Sequence, residues 1–253
     1  MKIVLGIPAR LGSTRFPGKP LCKILNKSMI EHCYKRSKLS SYATDLFVAT
    51  CDDEIKSHVK KFNGNVIMTE KNILRPGLRV AEAAKKLNLN DNDIVVVIQG
   101  DEPLVHPKMV DLAIQPLIDN NDIFVSNLCA EIDERDLNNP SEIKVVCDLD
   151  MNALYFSRSP IPSFMHQEKK TFWWKQVCIM PFRWHFMKKF NDELEPTPLE
   201  LQESIEMIRA IQYGYKIRMV PTSFINKSVD NENDRLEAEK LMLNDELYLK
   251  NIY

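Results

Sequence analysis

The chain has 253 residues, of which 44% are hydrophobic and 27% charged, values that exclude a disordered or fibrous class and suffice for one large α/β domain. Thirty-four Lys and Arg against thirty-five Asp and Glu leave a formal charge of -1, so no broad positive field gathers nucleic acid, and any polyanion bound must be small and held locally. The opening MKIVLGIPAR has an apolar run that Pro8 and Arg10 end, too short for a signal peptide's hydrophobic region or a membrane span, and a cytoplasmic location is the expectation.

In chain order, the first half alternates apolar, β-rich runs with amphipathic stretches. Strands are expected at residues 3–9, 46–50, 66–69 and 94–99, and helices at 28–39, 54–62 and 78–87. Such alternation reads as βαβ units on a parallel sheet. The runs at 3–9 and 94–98 suit central strands covered on both faces. From Pro107 a helix is expected to about residue 120. Shorter strand candidates follow at 123–128, 143–148, 153–158 and 177–182, so the second half is expected to form a mixed sheet with a projecting antiparallel part. A helix over about 198–213, a strand at 216–220 and a last helix from about Glu232 complete the pattern. The stretch 162–174, PSFMHQEKKTFWW, reads as a mobile loop, and no repeat or low-complexity segment is visible. Six cysteines (Cys22, Cys33, Cys51, Cys129, Cys147, Cys178) lie far apart with no CxxC pair and no His at zinc spacing, and read as reduced thiols.

The most specific feature is Pro8-Ala9-Arg10-Leu11-Gly12-Ser13-Thr14-Arg15-Phe16-Pro17-Gly18-Lys19-Pro20, which leaves the first strand and delivers three cations among small and rigid residues. Backbone N–H groups near Gly12 and Ser13 can face phosphate oxygens while Arg10, Arg15 and Lys19 neutralise charge, a chemistry that suits a triphosphate. A P-loop does not fit: Gly12 to Gly18 spans one residue too many, and Pro20 stands where the magnesium-binding Ser or Thr belongs. The second feature, Gln99-Gly100-Asp101-Glu102-Pro103, puts a carboxylate at the carboxyl end of a central strand, where open α/β sheets bind ligands. Asp101 is a natural Mg2+ ligand there, because Mg2+ takes one or two carboxylates together with phosphate oxygens. Asp230, just ahead of the last helix, is open to two readings, a helix N-cap or a second metal carboxylate.

On these segments the chain resembles the CMP-Kdo synthetases (3-deoxy-manno-octulosonate cytidylyltransferases) and related sugar-acid cytidylyltransferases. PARLGSTRFPGKPL, with Asn26-Lys27 and Met29-Ile30 behind it, is similar to the family's opening signature, and QGDEP to its metal site. Ile143-Lys144-Val145-Val146, Leu154 to Arg158, Pro198-Leu199-Glu200, Glu206, Arg209, Gly214 and Val229-Asp230 extend the resemblance over nearly the whole length. The resemblance implies a doubly wound mixed sheet of the nucleotide-diphospho-sugar transferase, Rossmann-like fold. It implies one domain over 1–253 with a small antiparallel dimerisation and acceptor-side part around 123–190, and a homodimer. It further implies that Pro8, Ala9, Arg10, Gly12, Ser13, Arg15 and Lys19 line the CTP site, and that Gln99 lies where nucleotide and acceptor meet. Asp101 and Asp230 would hold Mg2+, Arg15 and Lys19 would steady the departing pyrophosphate, and Arg79, Arg158 and Glu206 would belong to the acceptor side.

Three departures fall on that acceptor side. Where the family reads SGTDR or SGTER, this chain has Arg75-Pro76-Gly77-Leu78-Arg79; where it has a His, this chain has Gln176; and the Gln of its EQLR is Met207. Removing polar partners would leave a sugar acid's hydroxyls unpaired, and an added Arg suits a phosphate. The expected acceptor is therefore small, anionic and phosphorylated. L-glutamine phosphate is the leading candidate, giving CDP-L-glutamine as in the phosphoglutamine cytidylyltransferases of capsule phosphoramidate pathways, which the chain resembles. The alternatives are Kdo or another sugar acid as acceptor, and a non-catalytic nucleotide-binding module.

Overall fold

A computed structural model describes residues 1–12, 16–163 and 173–253. Its first half runs β1 (Ile3–Ala9), a short hairpin of β2 (Lys23–Ile24) and β3 (Lys27–Ser28), α1 (Met29–Ser37), β4 (Asp45–Thr50), α2 (Asp53–Lys61), β5 (Val66–Met68), α3 (Pro76–Ala84), β6 (Ile94–Ile98) and α4 (Pro107–Asp119). The second half runs β7 (Ser126–Glu131), β8 (Lys144–Cys147), β9 (Ala153–Ser157), β10 (Trp174–Val177), β11 (Ile179–Arg183), α5 (Trp184–Asp192), α6 (Pro198–Glu203), α7 (Met207–Gln212), β12 (Arg218–Thr222), α8 (Glu232–Met242) and α9 (Glu246–Leu249).

The first sheet has the order β11-β6-β1-β4-β5, parallel except for β11, which runs antiparallel to β6. Every residue of β1 and β6 is buried, as a strand covered on both faces requires. The alternation of side chains divides the core in two. Ile3, Leu5 and Ile7 pack with Met29, Ile30 and Cys33 of α1 and with α4, whereas Val4, Val95 and Val97 pack with Val80 and Ala84 of α3 and Phe186 of α5. The sheet is thus doubly wound. Its chain order proceeds from β1 to β4 and β5 on one side, then returns to place β6 on the other. The topological switch point therefore lies between β1 and β6, at their carboxyl ends.

The second sheet has the order β12-β7-β10-β8-β9, antiparallel at the β7–β10, β10–β8 and β8–β9 pairs and parallel between β12 and β7. Two expected elements divide here. The run expected as one strand at 177–182 crosses between sheets, its start ending β10 and its remainder forming β11, with Cys178 at the crossing. The buried amide of Asn127 holds that crossing by donating to Val177 O at 2.6 Å and Ile179 O at 3.2 Å. The helix expected over 198–213 is two helices, because Ser204 adopts a left-handed conformation, φ 55°, that ends α6. A capping box between Thr197 and Glu200 starts α6. The segment read as a mobile loop at 162–174 falls mostly on 164–172, outside the described residues; Trp173 is 7% exposed and packs with Ile132 and Leu137. All six cysteines are free thiols. Among the described residues no helix is long and apolar enough to cross a membrane.

Candidate active site

The two sequence motifs leave adjacent strands at the switch point. Pro8 and Ala9 are the last residues of β1, and Gln99, Gly100 and Asp101 follow β6. A side chain at position 100 would come within 2.7 Å of Pro8 O, so the two strand ends approach backbone to backbone and only Gly fits between them. Beyond Ala9 the loop is tied down by Asp52, whose carboxylate accepts the Leu11 N–H at 2.8 Å. The loop closes through Gly18, φ 70°, into a 3-10 turn over Lys19–Leu21 that aims the Lys19 side chain back at the sheet.

Lys19 Nζ lies 2.7 Å from Asp101 Oδ2 and 3.0 Å from Asp230 Oδ1. Burial pulls the pKa of this ammonium down, but the two carboxylates outweigh it and raise the value above the ordinary one, which keeps Lys19 charged. Asp230 reaches this point from the loop between β12 and α8, where the Val229 N–H donates to Asp101 O at 3.0 Å. Asp230 is not the N-cap of α8, a position filled by Asn231. Two carboxylates gathered on one cation form a hard, all-oxygen donor pair, the set that suits Mg2+ beside a triphosphate.

Two clefts meet here. One, of about 440 Å³, is lined by Pro8, Ala9, Arg10 and Lys19; the other, of about 640 Å³, by Arg75, Arg158, Gln176, Glu206 and Met207. Gln99, Asp101 and Asp230 line both. Pro8, Ala9, Arg10 and Lys19 of the expected nucleotide side and Arg75, Arg158, Gln176 and Glu206 of the expected acceptor side line different clefts, with Gln99 at the junction. Ser13 and Arg15 lie outside the described residues; Gly12 is exposed in the loop.

Each of the five residues expected on the acceptor side has further commitments in the structure. Arg79 lines the smaller cleft rather than the larger, is 2% exposed, and donates to Thr69 Oγ1 and to the carbonyls of Glu70 and Ile73, so it braces the loop ahead of α3. Arg158 lines the larger cleft, yet each of its guanidinium nitrogens donates to a carbonyl, those of Glu203, Pro140 and Ser204. Arg75 also lines that cleft and ion-pairs with Glu200, which is fully buried and shares its charge with Arg209 through two hydrogen bonds of 2.7 and 2.6 Å. Gln176 directs its amide nitrogen to Asn127 Oδ1 at 2.5 Å. Glu206 is left with one buried carboxylate oxygen lacking a hydrogen-bond partner among the described residues; burial pushes its pKa up, and Arg75 pulls the other way.

Because two arginines converge on Glu200, its neutralisation should leave Arg209, which is 5% exposed, without its buried partner and loosen Arg75 at the cleft wall. Glu200→Gln is expected to lower the unfolding free energy by about 3 kcal/mol. Denaturant titration measures this, and an unchanged midpoint would show that Glu200 does not hold the pair.

Glu102 was not singled out from the sequence, although it stands in QGDEP beside Asp101. It is 5% exposed and lines the larger cleft. Burial, with the charge of Asp101 adding to it, pushes its carboxyl up to about 7, against the pull of a 2.5 Å hydrogen bond from Ser228 Oγ. Its adjacency to Asp101 was the available signal. Its partner lies 126 residues away, and no local pattern reports that.

A doubly wound sheet with a cation-bearing loop after β1, and paired carboxylates facing it across the switch point, defines a nucleotide-dependent transferase site. The chain matches the family described as Cytidylyltransferase over residues 4–217, and it belongs to that family. It is 39% identical over 245 residues to a 3-deoxy-manno-octulosonate cytidylyltransferase of Geobacter metallireducens, covering 92% of this chain and 95% of that one. It is also 39% identical over 241 residues to an 8-amino-3,8-dideoxy-manno-octulosonate cytidylyltransferase of Shewanella frigidimarina, covering 94% and 98%. The solved structure of a CMP:2-keto-3-deoxy-manno-octonic acid synthetase complexed with CTP superposes with a TM-score of 0.89 at 33% identity, over 96% of this chain and 99% of that one. A 4-diphosphocytidyl-2C-methyl-D-erythritol synthase of Anaerococcus prevotii shares the fold, with a TM-score of 0.64 at 13% identity over 96% and 98%. The protein is a CTP-dependent nucleotidyltransferase that transfers CMP, which sets aside the non-catalytic binding module.

Proposed function

We propose that the enzyme transfers CMP from CTP to an octulosonate-type sugar acid with release of pyrophosphate. The observation that carries this reading is the pair of clefts meeting at Gln99, Asp101 and Asp230, in a chain whose relatives over more than nine-tenths of its length are named for octulosonate acceptors. The smaller cleft takes CTP. The backbone of the loop after β1, with Arg10, Ser13, Arg15 and Lys19, binds the triphosphate, and Arg15 and Lys19 carry the charge that develops on the leaving pyrophosphate. The larger cleft holds the acceptor so that its hydroxyl oxygen reaches the α-phosphorus in line, forming the new P–O bond as the bond to the β-phosphate breaks. Gln99, at the junction, orients the two substrates. Asp101 and Asp230 would hold Mg2+, which when bound screens phosphate charge and polarises the α-phosphoryl group. Lys19, paired with both carboxylates in the structure, then turns its ammonium to phosphate oxygens.

A phosphorylated acceptor such as L-glutamine phosphate is the second reading, favoured by Arg75 and Met207 in the lining of the larger cleft. It is the weaker reading because a phosphate must compete with the buried Glu200 carboxylate for Arg75, and the relatives are named for octulosonate acceptors. Pyrophosphate release under saturating MgCTP distinguishes the two. 3-Deoxy-manno-octulosonate or its 8-amino analogue is expected to show a kcat/KM at least about tenfold above that of L-glutamine phosphate, a difference of about 1.4 kcal/mol in transition-state binding. The opposite order would establish the phosphorylated acceptor.

A further inference from the structure

We infer that Glu102 and Ser228 are positioning residues, a clasp that keeps Asp230 in register with Asp101 across the switch point. This rests on the reading that these two aspartates hold the divalent cation. Asp101 is placed by the end of β6, a fully buried strand at the centre of the sheet. Asp230 lies outside regular structure, in the segment between the end of β12 at Thr222 and the start of α8 at Glu232, where its N–H donates to Asp234 Oδ2 of α8 at 3.1 Å and its carboxylate meets Lys19. Those contacts tie it to α8 and to Lys19, and its alignment with Asp101 needs links between the two segments themselves.

Two cross-links join that segment to the turn after β6, on consecutive residues of each. The Val229 N–H donates to Asp101 O at 3.0 Å, and the Ser228 hydroxyl donates to Glu102 Oε1 at 2.5 Å. Val229 itself is fully buried, so it anchors the backbone but not its rotation about that single point. A second bond, one residue earlier, adds to the Asp230 N–H bond to Asp234 in limiting that freedom and sets the direction in which Asp230 leaves the chain. Glu102 suits this work: it is 5% exposed, and its backbone is held by its own N–H to Gln99 O at 3.4 Å and by Val105 N–H to its carbonyl at 3.1 Å. A hydroxyl donating to a carboxylate is among the stronger hydrogen bonds available to a side chain. Residues that orient metal ligands without touching the metal commonly change metal affinity about tenfold to a hundredfold when removed.

The test separates metal binding from nucleotide binding. CTP affinity is measured by titration calorimetry on the full-length protein, without acceptor, once with Mn2+ and once with EDTA. The ratio of the two affinities is the metal-dependent gain. In Ser228→Ala that gain is expected to shrink about tenfold while affinity in EDTA stays within about twofold of wild type. Ser228→Thr, which keeps the hydroxyl, should restore it. Glu102→Ala should match Ser228→Ala, and the double variant should be no worse than either alone, since both remove one bond. A wild-type gain in Ser228→Ala, with the gain abolished in Asp101→Asn, would overturn the clasp and leave the metal ligands standing. A wild-type gain in Asp101→Asn would instead overturn the reading beneath it. Equal losses with Mn2+ and with EDTA would show a merely structural role and also overturn the clasp.

Discussion

Asp101→Asn is expected to lower turnover by at least about a hundredfold while the protein stays folded. The substitution keeps the shape of the side chain at the end of β6 and removes its charge. In the free enzyme this weakens the 2.7 Å pair with Lys19; on the proposed function it also removes a carboxylate whose role would be realised as charge builds on the phosphates. A hundredfold corresponds to about 2.7 kcal/mol of transition-state stabilisation, within what loss of one metal ligand accounts for. Asp101 is only half-buried and the Val229 N–H bond to its carbonyl remains, so unfolding should stay close to wild type. Steady-state pyrophosphate release and a thermal melt measure the two halves of this result. Near-normal turnover in the well-folded variant would remove Asp101 from the mechanism.

Lys19→Ala should be similarly damaging to CTP use, with kcat/KM for CTP down about a hundredfold. Its ammonium is compact enough to lie within 3.0 Å of both carboxylates at once, and without it Asp101 and Asp230 face each other with like charge. Lys19→Arg is not expected to rescue, because a planar guanidinium on a longer stem cannot occupy the same point between two carboxylates. Kinetics at varied CTP distinguish this from a structural role: a variant that melts early yet keeps its kcat/KM would make the loop a scaffold only.

The parallel half of the fold and both strand-end motifs were legible because their signals are local. An all-apolar run such as 94–98 can hardly be anything but a covered strand, and a cation-rich loop directly after 3–9 is confined by the chain to the ligand end of the sheet. What was not legible depends on partners far away in sequence. The split at Cys178 follows from which sheet each flanking residue pairs with, Val177 with Leu128 and Ile179 with Ile98, and no periodicity encodes that choice. The break at Ser204 is a single left-handed residue without the Gly that would have flagged it. Arg75 illustrates the limit for function: its charge type suggested a free phosphate ligand, while its meaning comes from Glu200, 125 positions later, already buried against Arg209. Arg79 likewise kept its identity but is committed to Thr69 and to neighbouring carbonyls. Charge is visible in a sequence; whether that charge is already compensated is a property of the fold.

The most direct measurement incubates the purified protein with CTP, Mg2+ and 3-deoxy-manno-octulosonate and follows nucleotide and sugar products by mass spectrometry alongside pyrophosphate. The expected result is a CMP-linked sugar acid formed one-to-one with pyrophosphate, at a rate that depends on both substrates and is lost in Asp101→Asn. CTP left intact, or pyrophosphate released with no CMP conjugate of the sugar acid, would contradict it.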